Sequence, residues 1–172
     1  MSQISLDEYQ LITRETSGCD ELPILALGLL GETIELLDSL TSKNSGKIVK
    51  EAGDIIWYSA RIADVLEVKF SDIITADTTD GGKHHHNFAL ALSATIVSEH
   101  VKKAFGHGHP LDKALVCNAL RAVIHEAMSM LHHREINVDL EEVMRQNIAK
   151  LRKRYPNGFS VERSMYRNPN EG

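Results

Sequence analysis

The chain has 172 residues, enough for one domain that buries a core of its own. Its 19 Lys and Arg against 24 Asp and Glu give a net charge of −5, which argues against a general nucleic-acid binder, while 42% apolar and 25% charged residues argue against wholesale disorder. The longest apolar run, Leu22–Leu30, is broken by Pro23 and Gly28 and is too short for a bilayer; Met1–Tyr9 does not read as a secretory leader; and Cys19 and Cys117 belong to no paired motif. These features predict a reduced, cytoplasmic protein without membrane or nucleic-acid partners.

Aromatic residues are only 5% of the chain and no β-branched runs alternate, so the Leu-, Ala-, Ile-, Glu- and Lys-rich periodic segments predict an all-α fold. Ser5 with Glu8 has capping-box spacing and starts a helix over Leu6–Thr16, ending near Gly18. Pro23, whose missing N–H costs nothing at a helix start, opens a second helix that carries Leu25, Leu29, Leu36, Leu37 and Leu40. Ser45 caps a third helix running to Glu67, with a stripe of Ile48, Ala52, Ile55, Ser59, Ile62 and Leu66. Ser71 starts a short fourth. Thr78–His86, with Gly81 and Gly82 and no hydrophobic residue, is the main linker. Helices then follow over Asn87–Phe105 and Asp112–His132, parted by a turn at Gly106–Pro110. A last one, with the box Asp139 and Glu142, reaches Tyr155 and is stopped by Pro156 and Gly158. Residues 156–172 read as a polar tail.

The halves on either side of the linker, 1–79 and 84–155, resemble each other. Leu25-Ala26-Leu27 recurs as Leu90-Ala91-Leu92 at an offset of 65, and the helix start at Ser71 recurs at Asp139 at an offset of 68. Either the chain is a fused pseudo-dimer, or two Leu/Ala-rich helices are alike by chance.

Glu32 and Glu35 stand three apart on the second helix, and Glu51 and Asp54 three apart on the third. Each pair therefore occupies one face, and two antiparallel helices can aim all four carboxylates at one spot. Such convergence calls for a hard cation, Mg²⁺ or Mn²⁺, because without one mutual repulsion raises the pKa values or parts the helices. Acids at this spacing also occur on plain solvated faces; here both pairs interrupt apolar helices, and Gly28 and Gly31 beside them leave room for a bound group.

Gly31-Glu32-Thr33-Ile34-Glu35, then Glu51-Ala52-Gly53-Asp54-Ile55-Ile56-Trp57-Tyr58 and Ala63-Asp64, resemble the MazG-type all-α nucleoside triphosphate pyrophosphohydrolases. So do Asn147-Ile148-Ala149-Lys150-Leu151, Arg154-Tyr155-Pro156, Gly158-Phe159-Ser160 and Glu162-Arg163-Ser164 near the end of the chain. Two departures stand out. A stretch like Gly106–Asp112 lies between the acidic pairs in relatives, whereas here it lies in the second half, as a duplication would place it. The duplication would also set Val97, His100, Ala119 and Ala122 at the quartet positions, leaving a second half that is a scaffold. The other departure is a lysine some members carry three residues before the third acid, which is Ile48 here, with Lys47 and Lys50 as substitutes.

The resemblance implies a MazG-like helical bundle that hydrolyses a (d)NTP to the monophosphate and pyrophosphate with Mg²⁺ or Mn²⁺. Glu32, Glu35, Glu51 and Asp54 would hold the metal, and Glu35 or Glu32 would instead take the proton of the attacking water. No P-loop is present, so phosphate donors are expected from the last helix: Met144–Arg167 holds seven basic residues and one acid, and Asn147, Lys150 and Arg154 share a face. The macrodipole also favours basic residues there for their own sake. Tyr58, on the face of Asp54, is placed to meet the base or sugar, or to sit in the core; Trp57 suits the core or a subunit contact better. His84-His85-His86 and His125-Glu126 lack the partners of a zinc or di-iron site. A homodimer is expected. The competing reading is a nucleotide-sensing or assembly protein that keeps the fold without turnover.

Overall fold

The computed structural model describes residues 3–74 and 86–166, the side chain of His86 aside. These residues form eight α-helices and no strand: α1 Leu6–Thr13, α2 Leu22–Ser39, α3 Ser45–Val65, α4 Phe70–Ile73, α5 His86–His107, α6 Lys113–His133, α7 Leu140–Arg154 and α8 Val161–Met165, with a 3-10 turn at Arg14–Thr16. The all-α expectation holds. The linker Thr78–His86 lies outside the described residues save for His86, which opens α5.

Most helix limits follow from caps. The capping box at Ser5 and Glu8 is formed, Pro23 sits in the first turn of α2, and Asp139 accepts the Glu142 N–H at 2.8 Å. Three differences are local. The cap of α3 is Asn44, not Ser45, because the amide oxygen of Asn44 accepts the Lys47 N–H at 3.1 Å. α4 begins at Phe70, and its Ser71 N–H is met from across the chain by Asp7 of α1 at 3.0 Å. The expected polar tail contains α8 and folds back: the Phe159 N–H donates to the Glu15 carbonyl at 3.1 Å.

Connections of five residues, 40–44 and 108–112, turn α2–α3 and α5–α6 into antiparallel hairpins. The hairpins pack with α2 on α5 and α3 on α6, while α1, α4 and α7 gather on α3. α3 is accordingly the most buried helix, with Ala52, Ile55, Ile56, Ala60 and Ile62 fully enclosed. Among the described residues, α6 alone is long and apolar enough to cross a membrane; it lies against α3, α4 and α5 instead.

The two hairpins match in detail. α3 and α6 both have 21 residues, with caps Asn44 and Asp112 that each accept an N–H from three residues on. Both end on a glutamate in the left-handed region, Glu67 at φ 59° and Glu135 at φ 57°. Both are closed by equivalent bonds, Val68 N to Ala63 O and Ile136 N to Leu131 O, each 3.0 Å. On α2 and α5, Leu25, Leu29 and Leu36 face the core as Leu90, Ala94 and Val101 do.

A Cβ in the left-handed region costs about 1 kcal/mol, and glycine removes that cost at a helix C-terminus. Glu67→Gly and Glu135→Gly are each expected to raise stability by roughly 0.5–1 kcal/mol in urea unfolding; a loss in either would mean that the glutamate side chain contributes to its cap.

Candidate metal and nucleotide site

The site lies where α2, α3 and α7 meet. Glu32 and Glu35 come from α2 and Glu51 from α3, and one carboxylate oxygen of each lies within 4.8 Å of the others. This is the only group of three or more potential metal-ligating acids, histidines or cysteines among the described residues. Glu51 is 3% exposed, Glu32 is half-buried and Glu35 is open to solvent. Six oxygens about a Mg²⁺ ion at roughly 2.1 Å stand up to about 4.2 Å apart, so small side-chain rotations would close this cluster on a cation.

Asp54, one turn along α3 from Glu51, is drawn to α7 instead. Its Oδ1 accepts from the Asn147 side-chain amide at 3.0 Å and from the Lys150 ammonium. Asn147 is 3% exposed and in turn accepts the Tyr9 hydroxyl at 3.0 Å. Gly53 permits this approach, since a Cβ there would stand 3.2 Å from the Asn147 side chain. The quartet is therefore three clustered glutamates and one aspartate held by a buried amide and a lysine.

Charge and burial act together on these groups. Burial, followed by the charges of Asp54, Glu35 and Glu51, pushes the Glu32 carboxyl up to about 7, with Lys150 opposing. Glu51 is also raised, by burial first and by Asp54 and Glu35 after it, against Lys50 at 3.7 Å and Lys150. Burial lowers Lys150, although Asp54 pulls the other way.

A cavity of about 350 Å³ opens beside the carboxylates. Glu32, Glu35, Glu51 and Asp54 line it together with Trp57, Tyr58, Arg154, Tyr155 and Phe159. Tyr58 lies across Gly28, where a Cβ would come within 2.2 Å of its ring, and meets Trp57 edge-on at 4.9 Å between centroids. Trp57 lines the cavity and donates its indole N–H to Thr16 at 3.0 Å. A second cavity, about 560 Å³, is bordered by Lys47, Lys50, Gln146, Asn147 and Lys150, with Glu51 on both. The helical face of Asn147, Lys150 and Arg154 is thus divided: Arg154 borders the first cavity, the other two the second. Ile48 is core, 3% exposed, whereas Lys47 lines the second cavity and Lys50 lines both.

Sequence reading missed two contributors. The Thr16–Cys19 stretch lines the first cavity, as do Phe159 and Ser164 of the folded-back tail. Gly18 offered a faint signal: a Cβ there would lie 2.5 Å from the Phe159 ring, so the bare backbone is what lets the tail dock.

The fold binds the Glu32 proton more tightly than the unfolded chain does, since the pKa rises from 4.5 to about 7. Stability tied to this group is complete at low pH and is lost as pH climbs through that interval. Glu32→Gln should raise the Tm by a few degrees at pH 8 in chelator and leave it unchanged at pH 4; an equal shift at both values would show that the gain is not electrostatic.

Residues 22–79 match the family model described as the MazG nucleotide pyrophosphohydrolase domain. No curated protein and no solved structure gives a match. The chain is MazG-like over residues 22–79, the stretch that holds all four acids.

Proposed function

We propose that this protein is a Mg²⁺-dependent nucleoside triphosphate pyrophosphohydrolase that converts a (d)NTP and water into the (d)NMP and pyrophosphate, with Mn²⁺ able to replace Mg²⁺. One observation carries the reading: Glu32, Glu35 and Glu51 converge within 4.8 Å inside the MazG-like segment, on the wall of a cavity that also holds Trp57 and Tyr58. A binding scaffold without turnover would gain nothing from three carboxylates brought that close, one of them buried.

Glu32, Glu35, Glu51 and Asp54 would hold the cation. When bound, it would neutralise the polyphosphate and polarise the α-phosphate. Water then attacks the α-phosphorus, Glu35 or Glu32 takes its proton, and the bridging bond to the β-phosphate breaks as pyrophosphate leaves. Tyr58 meets the nucleoside, with Trp57 beside it. Arg154 reaches the phosphates from the nucleoside side, and Lys150 from the second cavity. Asn147 acts indirectly, because its amide is occupied by Asp54 and Tyr9.

In the same reading the chain is a duplicated pseudo-dimer with one working site. Val97 and Ala119, at quartet positions of the second half, are 0% and 7% exposed, so that hairpin packs where the first one carries charge. The reading also includes a homodimer formed through apolar helix faces, of which Ile24, Leu27 and Ile34 on α2 are about half exposed or more.

Pyrophosphate release is to be measured across NTPs and dNTPs with Mg²⁺, with EDTA and Glu51→Ala as controls. Metal-dependent release with matching monophosphate is expected, falling at least about 100-fold in Glu51→Ala. No release by folded wild-type protein would favour a nucleotide-sensing role, and full activity in Glu51→Ala would remove the quartet from the reaction.

A further inference from the structure

One wall of the cavity beside the acids is an arch, Arg14–Asp20, between α1 and α2. It carries Thr16, Ser17, Gly18 and Cys19 onto the cavity surface. Both ends of the arch are tied to one place on α3. Near its start, Arg14 grips Asp64 with two bonds, Nε to Oδ2 at 2.9 Å and Nη2 to Oδ1 at 2.6 Å. At its end, Asp20 accepts from Nη2 of Arg61, whose Nη1 also donates to Asp64 at 2.7 Å. Arg14, Asp64, Arg61 and Asp20 thus form one chain of alternating charge.

Arg61 is the unusual member. Its side chain is 2% exposed, and its Nε has no hydrogen-bond partner among the described residues. A guanidinium buried in this way is unfavourable for stability compared with a well-packed apolar side chain, so packing alone does not account for it. The two carboxylates it grips do. Asp64 shows the strength of the grip: burial works to raise its pKa, yet the bonds from Arg14 and Arg61 hold it below the usual range. Between the tied ends the arch is braced by the Ser17 hydroxyl donating to the Cys19 carbonyl at 2.7 Å, and by the Phe159 N–H on the Glu15 carbonyl.

We propose that Arg61 is a positioning residue that fixes the arch as the outer wall of the nucleoside pocket, so that the arch, rather than the carboxylates, sets which nucleoside is accepted. The inference rests on the enzymatic reading above, with the nucleoside beside Trp57 and Tyr58. Arg61 touches neither substrate nor metal. It acts through Asp20, whose side chain is 71% exposed and can be changed without opening the core.

The test compares wild type, Asp20→Asn and Asp20→Glu. Loss of one charged hydrogen bond corresponds to about tenfold. In Asp20→Asn, amide hydrogen exchange over residues 15–19 should quicken by about that factor, and KM for the preferred nucleotide should rise similarly while kcat stays within about twofold. Discrimination between bases should fall, Mn²⁺ affinity should not change, and Asp20→Glu should restore part of the effect. Unchanged exchange over 15–19, or kcat and Mn²⁺ affinity falling together with KM, would overturn the proposal. If wild type shows no turnover, the enzymatic reading fails separately, and calorimetric binding of a nucleoside triphosphate to wild type and Asp20→Asn decides the arch. Weaker binding by the variant supports it; equal binding, or binding by neither, overturns it.

Discussion

Like charges set close together inside a helical bundle are the constraint around which this protein is arranged. Two carboxylates near 5 Å apart repel by about 3 kcal/mol at an effective dielectric of 20, so the three glutamates between α2 and α3 cannot all stay ionised without help. The fold answers in two ways. It lets Glu32 keep its proton to near neutrality, and it sets the Lys150 ammonium, bonded to Asp54, where its charge opposes the repulsion. The second answer depends on α7, which reaches α3 because Gly53 gives it room. The acids, the lysine and the docking of the last long helix are therefore one interaction, and the repulsion that destabilises the cluster is what would favour a cation there.

The matched hairpins show why this strain can be tolerated. α6 repeats the cap, the length and the left-handed closing glutamate of α3, but its face at the equivalent positions is alanine. On α5, Val97 is fully buried where α2 carries Glu32. The hairpin that carries the acids packs on the other through α2 on α5 and α3 on α6, and its core stripe of Ile48, Ile55 and Ile62 is apolar. The bonds Thr33 Oγ1 to Leu29 O and Ser98 Oγ to Ala94 O mark the same turn in both.

The backbone plan was legible where local chemistry decides it. Caps at Ser5 and Asp139, the proline at the start of α2 and the apolar stripe of α3 are short-range signals, and they placed the helices within a few residues. Asn44 against Ser45 went the other way because both are good caps and only the geometry of the preceding turn chooses. At the site, the i, i+3 spacing of the acids was sufficient to put them on facing sides. That Asp54 turns toward α7 was not legible, since it depends on two residues some 90 positions away. The role of Tyr9 and the burial of Arg61 are equally long-range. So is the tail: Phe159 read as part of a polar end, yet it sits against Gly18 on the cavity wall.

These long-range features share a direction. The arch and α7 are distant in sequence, and each reaches the cavity through contacts with α3: Trp57 holds Thr16, Asp64 holds Arg14, Arg61 holds Asp20 and Asp54 holds Lys150, while the tail docks on the arch through Glu15 and Gly18. Those contacts fall at 54, 57, 61 and 64, spaced three and four apart, which is one continuous stripe of the helix. The opposite stripe, from Ile48 through Ile55 to Ile62, is core. α3 thus divides its circumference between holding the bundle together and holding the site together.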